Sequence, residues 1–139
     1  MDLADIPLFS MLRNRLGYLS ERQRLIAENV ANADTAGFAP KDLKPFSFHA
    51  QQAASMAGVQ AVTQPGHMLS PSARRAGPGG SFKSAKTPDS ETTLDGNSVV
   101  LEEEMMKMSD ARMSYDAAIG FYQKSLNLLR LATKPPGRG

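Results

Sequence analysis

Cysteine is absent from this 139-residue chain, so no disulfide can staple it and no thiolate can hold a metal. Histidine occurs only at His49 and His67, neither at ligand spacing from another histidine, so no metal site is expected. No apolar run approaches the roughly 18 residues that a membrane-spanning helix needs. An excess of one charge is missing too. Sixteen basic side chains stand against fourteen acidic ones, and residues 1–50 and 94–139 are each balanced six to six. Such balance leaves no basic helix face for DNA or RNA, so no nucleic acid partner is expected. Nucleophile elbows and phosphate loops are lacking, and Gly77-Pro78-Gly79-Gly80 lacks the lysine and strand context that a phosphate loop needs. Glu102, Glu103 and Glu104 are consecutive and point in different directions on a helix, which suits dipole complementation better than a catalytic pair. The expectation is therefore no enzyme, no cofactor and no small-molecule ligand. The first ten residues hold Asp2 and Asp5 and no basic residue, so they do not read as a cleavable secretory signal.

What the chain does have is helical periodicity at both ends. Asp5 can cap a helix starting at Ile6, with Pro7 tolerated in its first turn. From there Phe9, Leu12, Leu16, Leu19, Ile26 and Val30 recur at alternating steps of three and four, interrupted only by Gln23. The spacing predicts a helix to about Asn32. A second seam runs through Leu101, Met105, Met108, Tyr115, Ile119, Tyr122, Leu126 and Leu129, with Arg112 as its polar break. Asn97 or Ser98 can cap this helix, which should end near Leu131 or Ala132, before Pro135-Pro136-Gly137. The fold class is thus mainly α, with long N- and C-terminal helices packed as an antiparallel, coiled-coil-like pair. Between them, residues 38–50 form an irregular aromatic segment in which Phe46 and Phe48 alternate as a short edge strand would. Residues 51–93 are rich in Gly, Pro and Ser and are expected to be disordered, with a short helix possible over Ala53 to Val62. The organisation is then 1–37, 38–50, 51–93 and 94–139.

Each helix carries a second apolar stripe: Met11, Tyr18 and Leu25 on the first, and Met106, Met113, Phe121 and Leu128 on the second. Phe38, Phe46 or the central segment can cover part of this surface, but no third long helix is available. The remainder calls for neighbours, as in an assembly subunit.

The stretch closing the first helix, Ala27-Glu28-Asn29-Val30-Ala31-Asn32-Ala33-Asp34-Thr35-Ala36-Gly37-Phe38, reads by itself as an elaborate helix stop. It also resembles the A-N-x-A-N-x-x-T-x-G-Y signature of bacterial flagellar rod and hook proteins, with Asn29, Ala31, Asn32, Thr35 and Gly37 in register. Ala36 stands where proline is common and Phe38 where tyrosine is common, and both swaps keep a turn and an aromatic anchor. The block from Asp95 to Met108 resembles the D-G-N-x-V-x-x-E-x-E-M motif of the flagellar proximal rod family, FlgB, through Asp95, Gly96, Asn97, Val99, Glu102, Glu104 and Met105. The resemblance covers both ends of the chain. It implies a subunit of the basal body rod, periplasmic, exported without cleavage by the flagellar type III apparatus. Implied partners are other copies of the chain, other rod proteins, FliE and the membrane-embedded ring. A cytoplasmic coiled-coil adaptor or export chaperone is the alternative. A wall-cleaving accessory enzyme would need a carboxylate or zinc site that the sequence does not offer.

Overall fold

A computed structural model describes residues 6–47, 82–134 and 137. Helix α1 spans Pro7–Ala31, strand β1 Lys41–Leu43, strand β2 Ser84–Lys86 and helix α2 Leu101–Thr133. Pro7 sits at the start of α1, where its missing N–H breaks no helical bond, and Ile6 precedes it without a side-chain cap. Asp5, the expected cap, lies outside the described residues, as do Phe48, His49, His67 and the Ala53–Val62 stretch.

The two helices pack antiparallel. Phe9 near the start of α1 meets Tyr122 edge-on at 5.4 Å, Arg22 reaches Asp110, and Asn29 in the last turns bonds Glu104 in the first turn of α2. On α1 the expected seam is the buried one: Phe9, Leu19 and Ile26 are buried, with Leu12, Leu16 and Val30 half-buried.

On α2 the seam is corrected by one residue. Glu104, Ala111 and Ala118 are buried, while Met105 and Arg112 are exposed. Met108, Tyr115, Tyr122 and Leu129 keep their places half-buried, and Ile119 and Leu126 flank them half-buried as well. Leu101 is exposed. Adjacent residues lie about 100° apart around a helix, so the small side chains of Ala111 and Ala118 turn toward α1 and let the helices approach. Arg112 is therefore no break in the seam; Gln23 of α1 is half-buried.

The strands form a two-stranded antiparallel arm, with Lys41 opposite Lys86 and Leu43 opposite Ser84. Its bonding continues through the Lys44 N–H to the Lys83 carbonyl and the Thr87 N–H to the Pro40 carbonyl. The N-terminal strand thus lies at Lys41–Leu43, between the two residues that lack an N–H, Pro40 and Pro45; Phe46 falls outside it. Residues 82–93 depart from the expected disorder: they supply β2 and the turns that lead into α2. Phe46 and Phe82 flank the Tyr18 ring at 5.3 and 5.5 Å, and Leu43 completes a cluster with Tyr18, Leu19, Leu25 and Ala118. The arm therefore covers the second stripe of α1.

Candidate functional site

At the end of the pair where α1 stops and α2 begins, the two signature stretches meet. The last carbonyls of a helix lack intrahelical donors; those of Glu28, Asn29 and Val30 are met locally by the Asn32 and Ala33 N–H groups, and those of Asn32 and Thr35 just beyond are met from the far side of the sequence. Asn97, buried, donates its Nδ2 to the Asn32 carbonyl at 2.9 Å and the Thr35 carbonyl at 2.7 Å, and its Oδ1 accepts the Val99 N–H at 2.9 Å. The Gly37 N–H donates to the Asp95 carbonyl, and the Ser98 N–H to the Phe38 carbonyl. Gly37 and Gly96 both hold positive φ, 71° and 84°, and a Cβ on Gly96 would stand 3.3 Å from the Gly37 Cα. Only glycine suits that combination of backbone conformation and close approach.

One turn further along, a buried polar chain ties the helices together. Asn29 uses its carboxamide in full. Its Oδ1 accepts the Lys41 N–H, and its Nδ2 donates to the Lys41 carbonyl and to Glu104 Oε2, all within 2.9 Å. Glu104 is fully buried, and its other oxygen accepts from Lys107 Nζ at 2.7 Å. Lys107 also donates to Asp89, whose second oxygen accepts the Val100 N–H at 2.9 Å. Burial works against the Lys107 ammonium, but the bonds to Asp89 and Glu104 outweigh it and raise its pKa above the ordinary lysine value. Every buried side-chain nitrogen and oxygen among the described residues has a hydrogen-bond partner.

A third tie lies midway along α1. Arg22 forks onto Asp42 of β1 with two bonds of 3.0 Å and extends its remaining nitrogen to Asp110 of α2 at 3.4 Å. The paired geometry with Asp42 raises the arginine pKa further despite partial burial.

The structure gathers Asn29, Asn32, Thr35, Gly37, Phe38, Asp95, Gly96, Asn97, Val99 and Glu104 into this clasp. Ala31, Glu102 and Met105 are exposed beside it. Two expectations are corrected here. Glu104 does not complement the helix dipole from solvent but sits in the core, because Asn29 and Lys107 satisfy its oxygens. The helix start is capped by neither Asn97 nor Ser98: Val100 takes the cap position, with its N–H held by Asp89. Sequence reasoning missed Asp89, Lys107, Arg22 and Asp42. Lys107 had a signal, its three-residue spacing from Glu104; Asp89, in a Gly/Pro/Ser-rich tract, had none.

Among the described residues no group of three His, Cys, Asp or Glu could hold a metal, and no helix is long and apolar enough to cross a membrane. Long terminal helices, paired and tied together at one end through two signature stretches, are the arrangement expected from the resemblance to structural proteins of the bacterial flagellar axis. No family model matches the chain. It is 32% identical over 117 residues to the flagellar basal body rod protein FlgB of Agrobacterium fabrum (strain C58 / ATCC 33970), covering 80% of this chain and 81% of that relative. The chain belongs to the FlgB family of flagellar basal body rod proteins.

Proposed function

We propose that this chain is a structural, non-catalytic subunit of the proximal rod, polymerising through its terminal helices to carry torque from the membrane ring to the distal rod and hook. The observation that carries this reading is the outer face of α2. Met106, Met113, Phe121 and Leu128 are 58–68% exposed, and the arm that covers the corresponding stripe of α1 does not reach them. Apolar surface in a continuous stripe on a long helix suits burial against neighbouring subunits. Its neighbours in this reading are other copies of the chain, other rod proteins, FliE and the ring, reached from the cytoplasm through the type III export apparatus.

The clasp has a distinct part in the proposal. Asn29, Asn32, Thr35, Gly37, Asp95, Gly96, Asn97 and Glu104 fix the register of the two helices, so that the outer stripe is presented as one rigid surface. Torque then passes along a helix pair that cannot slide. Ala31, Phe38, Val99, Glu102 and Met105 belong to the same signatures, and the exposed ones among them are available to a neighbouring subunit.

Purified basal bodies provide the test. They should contain the chain, and cells producing Met113→Glu together with Phe121→Glu should export it yet assemble no rod and lose motility. Basal bodies that lack the wild-type chain would overturn the reading.

A further inference from the structure

The outer stripe of α2 has a symmetry that neither the fold nor the rod reading requires. Taken in order it consists of Met106, Asp110, Met113, Ala117, Phe121, Lys124 and Leu128, with steps of four, three, four, four, three and four. At about 100° per residue these seven positions fall within an arc of about 80°. The steps read the same in both directions about Ala117. All seven residues are exposed; Asp110 keeps 68% of its side-chain surface free while touching Arg22 at 3.4 Å on its inner side. Lys124 has no ion pair among the described residues.

Laid antiparallel on the same stripe of a second copy, with a two-fold axis at Ala117, each layer meets a fitting partner. Met106 faces Leu128 of the second copy, and Met113 faces its Phe121, a sulfur–aromatic pairing. Asp110 faces Lys124 of the second copy, and by symmetry the pair occurs twice. Alanine at the axis lets the two helices approach closely. The overlap spans about 33 Å of helix. A parallel pairing of the same stripes would set Asp110 against Asp110 and Lys124 against Lys124, so the charges select the antiparallel arrangement.

We infer that the outer face of α2 is self-complementary and that a second copy of this chain occupies it as an antiparallel two-fold dimer. Such a contact is isologous and closes on itself, whereas a polar rod grows through heterologous contacts. The dimer is therefore a holding state that hides the stripe until assembly. This role rests on the rod reading given above, while the pairing itself does not.

The purified full chain tests it, and its lack of cysteine gives a clean background for cross-linking. Sedimentation should show a concentration-dependent monomer–dimer equilibrium. Asp110→Lys and Lys124→Asp should each weaken the dimer by about tenfold, through like charges brought face to face, and the two changes combined should restore it. Loss of the Arg22 contact cannot explain that restoration, since the combined variant lacks it too. Under mild oxidation Met113→Cys should cross-link with Phe121→Cys and not with itself, while Ala117→Cys should cross-link with itself. A chain that stays monomeric overturns the inference, and so does a dimer indifferent to the charge changes or one in which Met113→Cys joins itself most readily. Failure of the two readings is separable: a monomeric chain found in basal bodies removes the dimer alone, and a dimeric chain absent from them removes the rod reading.

Discussion

The two helices receive unequal cover. Helix α1 buries both of its apolar stripes, one against α2 through Phe9, Leu19 and Ile26, the other under the arm through Tyr18 and Leu25. Helix α2 buries only Glu104, Ala111 and Ala118, and its large apolar side chains Met105, Met106, Met113, Phe121 and Leu128 face outward. A monomer thus finishes one helix and leaves the other open. The fully buried positions of α1 are mostly bulky and apolar, whereas those of α2 are Glu104 and two alanines, with Tyr115 and Tyr122 half-buried against α1.

Substitutions on the two helices should expose this inequality, and the largest effect is expected at Ile26. Its side chain is fully buried, so Ile26→Ala should cost about 2–5 kcal/mol in urea unfolding. Met113→Ala on the open face should stay within about 0.5 kcal/mol; equal losses would break the comparison. Next comes Glu104→Ala, which takes one partner each from the Lys107 ammonium and the Asn29 amide, leaving them Asp89 and the Lys41 backbone, and should cost about 3 kcal/mol. Met105→Ala, one residue on, should be nearly silent. A smaller loss of about 1–3 kcal/mol is expected for Gly96→Ala, from the positive φ and the 3.3 Å approach to Gly37. Phe82→Ala removes one of the two rings against Tyr18 and should cost about 1–2 kcal/mol. In a chain without tryptophan, it should also change the tyrosine fluorescence.

The mildest effect is one of pH. Folding raises the Lys107 pKa, so the folded chain holds that proton more tightly than the unfolded one. The contribution of the clasp is whole below pH 10.5, the ordinary lysine value, and fades as pH rises through the folded value. Burial raises Tyr18 in the same direction from 10.0, ahead of the opposing pull of Arg22. Unfolding midpoints should therefore fall above about pH 10, and Lys107→Met should flatten part of that fall.

Much of this was legible in the residues. Alternating steps of three and four mark both helices, and Gly37 and Gly96 mark turns. Asn29 in the last turn of α1 and Asn32 just after it announce a helix stop, and the two signatures announce the flagellar axis. The seam of α2 was less legible because Leu101, Met105, Ile119 and Leu126 form as regular a stripe as the one actually buried. Apolar side chains point to a core, yet the fully buried positions of α2 are two alanines and a glutamate. Residues 82–93 misled for a related reason: their composition lacks apolar weight, but β2 gains its order from β1 and from Phe82 packed on Tyr18.

Local chemistry alone determined the helices, their approximate ends and the turns between them, because backbone geometry and side-chain period act over a few neighbouring residues. Only tertiary structure decided which face of α2 turns inward, that Asn97 answers the carbonyls of Asn32 and Thr35, and that the arm lies on α1. Those outcomes depend on satisfying buried polar atoms and fitting side chains between segments more than sixty residues apart, and periodicity within either segment carries no record of its partner.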